Sequence, residues 1–138
     1  EQSLVIVQIE HIDALNEICA DITRNTTKPA FATTYTWFRY SDDLPMGHAG
    51  EVETSMLLHL FPNLINSGMI SQASSDSGDR WGSFEQGAQM KYDVEKFTKN
   101  GVIGDPSLAS SNLGEKLLKE SGTSLAKLLE VVSKLKLS

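Results

Sequence analysis

Thiols are nearly missing from this chain: Cys19 is the only cysteine. It has no internal partner for a disulfide, and no leader with a basic start and an apolar middle precedes it, so a cytoplasmic, reducing environment is expected. Basic charge is also scarce. Twelve Lys and Arg stand against 18 Asp and Glu, for a net charge of −6, and no basic cluster interleaves with aromatics. The footprint of a phosphate backbone is therefore absent, and no nucleic-acid partner is expected. Long apolar runs are lacking as well. Stretches such as Leu4 to Val7 and Met56 to Leu58 fall far short of the roughly 20 residues that a membrane span needs, so no membrane association is expected. No internal repeat or low-complexity tract appears. What remains is ordinary globular composition, 40% hydrophobic and 22% charged over 138 residues, which predicts one domain, 1–138, with a real core.

The order of the patterns predicts the fold class. "SLVIVQIE" (3–10) is a short β-branched run of the kind found in a covered parallel strand. In "IDALNEICADI", Ile12, Leu15, Cys19 and Ile22 recur at helical spacing. "NTTKP" ends that helix, and "AFATTYTWFRY" (30–40), rich in Thr and aromatics, reads as a second strand. Strand, helix and strand with short joints make a βαβ unit, which calls for a parallel sheet and an α/β fold. Beyond it, a helix is expected from about Glu51 to Phe61, and a loop with one short strand nearby from Ser71 to Gly87. A last helix is expected from about Ser110 to Leu137. Leu113, Leu117, Leu125, Leu128, Val132 and Leu135 stripe its face. Gly114 and Gly122 weaken it by roughly 1 kcal/mol each relative to Ala.

Polarity concentrates at one loop-to-helix junction, "MGHAGEVETSMLLHLFP" (46–62). In parallel α/β proteins ligands gather where loops feed helix N-termini beyond the strands. A helix starting at Glu51 would present its first-turn amides and positive dipole end there, and Gly47 and Gly50 would let the backbone approach whatever His48 addresses. Glu51 and Glu53 lie about 200° apart around a helix of 3.6 residues per turn, so one acid suits a ligand or catalytic role and the other a hydrogen-bonded or solvated one. His48, three residues before Glu51, is its natural companion. An imidazole beside a carboxylate suits acid/base work or metal ligation. By local chemistry alone, a functional site and a helix-capping loop with a surface His account for the stretch equally well.

"GHAGEVETS" resembles the signature of the creatininase (creatinine amidohydrolase) family, a His-(Ala/Gly)-Gly-x-x-Glu-Thr-Ser segment at the start of a helix. "NGVIGDP" (100–106), followed by a Leu-rich helix with an early Gly-Glu-Lys, looks like the same family's C-terminal pattern. The resemblance implies a three-layer α/β/α sandwich with a mainly parallel sheet, of which this chain would be the C-terminal portion. It implies two divalent metals, zinc or manganese, and hydrolysis of a cyclic or linear amide-type C–N bond in a small molecule. Homo-oligomers, often hexamers, are implied too. His48 matches the family histidine that passes a proton to the leaving nitrogen, and Glu51 a position for a metal ligand or site acid. Glu53, Thr54 and Ser55 match the Glu-Thr-Ser. Two departures stand out. Creatininase itself places a catalytic Glu immediately before the His, where this chain has Gly47. The family's Gly-rich, metal-binding turn between first strand and helix is replaced by "VQIEHIDAL", leaving His11 or Glu10 as its substitute. The departures leave a second reading open, a metal-free structural or regulatory relative.

Other features have bland alternatives. His11 at a strand-to-helix joint is a candidate ligand, though such residues are most often caps. Trp37 and Trp81 are candidate walls of a substrate pocket, though large aromatics more often build cores. His59 is expected to close its helix against a neighbour, and Cys19 to pack on an apolar helix face.

Overall fold

A computed structural model describes residues 2–7, 12–25, 30–37, 47–79, 83–86, 88–90 and 96–135. They divide into two compact units, one of Glu1–Tyr40 with Lys119–Ser138, the other of Ser41–Leu118.

The first unit contains the expected βαβ element. Strand β1 (Gln2–Val7) lies parallel to β2 (Ala30–Tyr35), with Gln2 opposite Ala30 and Val7 opposite Tyr35. Between them runs helix α1 (Ile12–Asn25), and its polar side chains fasten it to β2. Thr23 Oγ1 accepts from the Ala32 amide at 3.1 Å, and Thr34 Oγ1 donates to Asn16 Oδ1. The first satisfies a backbone donor of β2 and the second a side-chain hydroxyl. Cys19 is buried, in the place its apolar spacing predicted. Helix α4 (Ser111–Val132) contributes its part from Lys119 onward, and the buried Tyr35 hydroxyl donates to the Ser121 carbonyl at 2.6 Å. Val132 adds to the core here, while Leu135 is exposed.

The second unit is built around helix α2 (Glu51–Leu60), α3 (Ile70–Ser75), a hairpin of β3 (Ser83–Glu85) and β4 (Ala88–Met90), and the opening turns of α4. Strands β3 and β4 are antiparallel. Helix α3 falls inside a stretch expected to be loop from Ser71. Its Ser-rich sequence lacks a helical apolar period, and local side-chain bonds such as Gln72 Nε2 to Asp76 Oδ2, 2.6 Å, hold it instead. The core holds Val52, Ser55, Val102, Ile103 and Leu117. At Gly114 the helix α4 backbone lies directly on α2: a Cβ built there would sit 2.0 Å from the Ser55 carbonyl oxygen and 2.8 Å from His59 Cβ. Its absent side chain thus permits close packing, and His59 sits against α4 as its helical position suggested. Among the described residues no helix is long and apolar enough to cross a membrane.

Candidate functional site

The two sequence stretches that stood out, "GHAGEVETS" and "NGVIGDP", meet in the second unit. His48 pairs with Ile103 in an antiparallel bridge: the His48 amide donates to the Ile103 carbonyl at 2.8 Å, and the Ile103 amide returns to the His48 carbonyl at 2.9 Å. On its other side, Val102 O accepts from the Gly78 amide at 2.8 Å, and the Gly104 amide donates to Gly78 O at 2.9 Å. Ile103 is buried between the two connections. Gly47 permits this pairing, because a Cβ there would lie 1.8 Å from the Ile103 oxygen. His48 is thus fixed at its backbone while its side chain stays 48% exposed.

Ala49 follows with φ of 51°, in the left-handed region that costs an L-residue roughly 1 kcal/mol or more. The turn brings the residues before the helix back toward its first turn. Gly50 is the N-cap and offers no side chain to the free amides; Glu53 reaches back past it, its Oε2 accepting from the Ala49 amide at 2.5 Å, one residue further out than in the reciprocal capping arrangement. Thr54 Oγ1 donates to Ala49 O at 3.0 Å. Ser55, fully buried, accepts from the Ser110 amide at 3.0 Å. The Glu-Thr-Ser therefore ties the loop, its helix and the approach to α4 together.

The acid that meets the imidazole is Glu53: its Oε2 stands 3.7 Å from His48 Nδ1. Sequence spacing points to Glu51 as the companion, because it follows His48 by only three residues. The reversal at Ala49 turns His48 toward the third helical position instead. Glu51 is half-buried at the first position of α2. Trp37, half-buried, lies beyond β2 in the first unit. His11 and Trp81 fall outside the described residues. Among the described residues, no three His, Cys, Asp or Glu side chains come together in a way that would hold a metal ion.

Sequence reading registered the turns at 100–106 but not their partners. Asn100 Oδ1 accepts from Val102 N at 3.0 Å and from Thr98 Oγ1 at 2.9 Å, while its Nδ2 donates to Ala73 O at 2.8 Å. Gly101 (φ 84°) and Gly104 (φ 103°) supply conformations that other residues resist. Asp105 collects three donors on Oδ1: Ser107 Oγ and Ser74 Oγ, both at 2.6 Å, and Ser107 N at 2.9 Å. The Ser107 hydroxyl, then Ser74 and the Ser107 amide, hold its carboxyl below the ordinary range. Local Asx geometry could be foreseen from the Asn-Gly and Asp-Pro pairs; Ser74, far away in sequence, could not.

That shift sets a pH dependence. A carboxyl whose folded pKa is depressed stabilises the fold above its unfolded pKa, and the contribution disappears as pH falls through the folded value. Between about pH 5 and pH 2, the urea midpoint of the parent should fall more steeply than that of Asp105→Asn. Parallel curves would show that Asp105 is not tied to its serines in solution.

A family model for creatinine amidohydrolases, the creatininase family, matches residues 4–129. Comparison with curated proteins gives no match. Among solved structures, that of a "putative creatinine amidohydrolase" from Bacteroides fragilis NCTC 9343 superposes with a TM-score of 0.78 at 23% identity. The match covers 98% of this chain and 55% of that one, so this chain spans about half its length. The likeness carries the fold, an α/β architecture.

Proposed function

The chain belongs to the creatininase (creatinine amidohydrolase) family, and from that membership we propose a hydrolase acting on a cyclic or linear amide-type C–N bond in a small molecule. The observation that carries this reading is the exposed His48 ring, anchored through its backbone to Ile103 and backed by Glu53. Hydrolysis adds water across the bond, oxygen to carbon and proton to nitrogen. His48 gives its proton to the departing nitrogen and recovers one from the water that adds to carbon, with the Glu53 carboxylate beside its Nδ1. Glu51, at the positive end of α2, is the second candidate site acid.

The reading includes a three-layer α/β/α sandwich, which the parallel β1–β2 pair supports, with these residues as its C-terminal portion; the 55% coverage of the longer solved structure supports a portion. It includes a homo-oligomer, often a hexamer in the family. Exposed Leu57, Leu60, Phe61 and Leu64 support association of some kind. It also includes a cytoplasmic setting, with Cys19 a buried free thiol. The family also implies zinc or manganese, with Glu51 and His11 as this chain's candidate ligands. The described donors do not compose such a site. Trp37 and Trp81 remain its candidate substrate contacts.

The test is turnover of a panel of small lactams, cyclic ureides and N-alkyl amides, read as newly formed amine. Parent protein should hydrolyse at least one, and His48→Ala should lower kcat by about 100-fold or more at an unchanged urea midpoint. Silence across the panel overturns the hydrolase reading; full activity in His48→Ala removes that residue from the chemistry.

A further inference from the structure

We infer that Asn100 and Gly101 form a self-modifying pair, at which the fold promotes closure of the Asn100 side chain onto the Gly101 amide and conversion of Asn100 to aspartate or isoaspartate with release of ammonia. The inference is independent of the hydrolase reading.

The sequence holds one Asn-Gly pair, at the head of "NGVIGDP". Glycine leaves its amide nitrogen unshielded, and a Cβ built at Gly101 would meet nothing within 4 Å, so solvent base and water have access. Among the described residues, none accepts from that amide. The carboxamide it would attack is held in one orientation. Asn100 Oδ1 accepts from Val102 N at 3.0 Å while Nδ2 donates to Ala73 O at 2.8 Å, so oxygen and nitrogen cannot exchange places. The first of these bonds closes an Asx turn. Gly101 N belongs to the ring of atoms so closed, and the side-chain carbon is folded back toward it. Thr98 Oγ1 also donates to Oδ1, at 2.9 Å, the shorter of its contacts with acceptors; Asp76 O stands at 3.3 Å.

The reaction balances with water alone. Gly101 N gives its proton to hydroxide and bonds to Asn100 Cγ, while the carbonyl pair moves onto Oδ1. As that pair returns, the Cγ–Nδ2 bond breaks, and Nδ2 leaves as ammonia with a proton from water, which regenerates hydroxide. Water then opens the cyclic imide at either carbonyl, leaving aspartate or isoaspartate at position 100. Negative charge develops on Oδ1, where the Val102 amide and the Thr98 hydroxyl already point. Donors fixed on a developing oxyanion lower the barrier without reorganising. An unfolded chain must first orient the carboxamide and gather donors from water.

The full 138-residue protein is held at mildly alkaline pH, folded or in urea, then digested. The Asn100 peptide is read by mass spectrometry with isoaspartate methyltransferase labelling. Folded parent should convert about ten-fold faster than unfolded, less than a buried oxyanion hole would give, because Asn100 is exposed. Folded Thr98→Val should lose most of that advantage and none of its rate in urea; Thr98→Ser, which keeps the hydroxyl, should retain both. Folded parent converting no faster than unfolded overturns the inference, as does a folded Thr98→Val that matches the parent. The parent comparison needs no variant, so it decides the matter even where Thr98→Val fails to fold.

Discussion

Gly114→Ala should lower the unfolding free energy by about 3 kcal/mol or more, whereas Gly122→Ala, further along the same helix, should raise it by up to about 1 kcal/mol. Both exchanges add one methyl group to α4, and both gain the same helix propensity. They differ in what that methyl meets. At Gly122 nothing lies within 4 Å, so the gain in propensity stands alone. At Gly114 the added carbon would sit 2.0 Å from the Ser55 carbonyl oxygen and 2.6 Å from its carbon. These are backbone atoms of α2, which cannot swing aside as a side chain would. Relief requires the two helices to separate, and separation exposes Ser55, whose hydroxyl accepts from the Ser110 amide. Buried Val52 and Leu117 would lose packing with it. Urea unfolding of the two variants under identical conditions provides the check. Equal effects of the same sign would show that the close approach at Gly114 is not kept in solution.

This pair also shows where sequence reading stops. Propensity assigned Gly114 and Gly122 the same cost, and for the isolated helix that is correct; only tertiary structure reveals that one of them is a contact point. The strand–helix–strand opening was legible because period and composition are local properties. β1, α1 and β2 form where a β-branched run, a helical period and a Thr- and aromatic-rich run place them, and the two strands pair in parallel as a βαβ unit demands. The end of α4 was overextended: the Leu stripe continues to Leu135, but helix stops at Val132 and Leu135 is exposed. The junction at His48 was legible as a place, not as a geometry. Proximity along the chain pairs His48 with Glu51, because nothing in "HAGE" announces that Ala49 will adopt φ of 51°. A glycine at that position would have given the signal; an alanine there conceals it. Asp105 was hidden for another reason. Its partner Ser74 belongs to a helix whose composition resembles loop, and the contact crosses a sequence separation that no local rule spans.

Gly47→Ala should cost about 3 kcal/mol and release His48 from Ile103, so stability and site geometry fail together. The built Cβ lies 1.8 Å from the Ile103 oxygen and 2.7 Å from its carbonyl carbon. No rotamer relieves that, since a methyl group has none, and the strands must part. Parting breaks the two reciprocal hydrogen bonds between His48 and Ile103, at 2.8 and 2.9 Å, each worth about 1 kcal/mol net. Gly101→Ala is the control. It faces open space but has φ of 84°, so it meets backbone strain of about 1–2 kcal/mol without disturbing the pairing. Amide exchange separates the two: the Ile103 amide should lose protection in Gly47→Ala beyond the global loss of stability, and keep it in Gly101→Ala. Selective loss at Ile103 would make position 47 the point where backbone packing decides what may stand next to the imidazole. Creatininase itself has a glutamate in the matching position, and no side chain fits there on this backbone. An acid that faces the imidazole, Glu53, comes instead from a residue that follows it in the chain. Full protection of the Ile103 amide in Gly47→Ala would show that the pairing accommodates the added methyl group, and position 47 would then impose no such constraint.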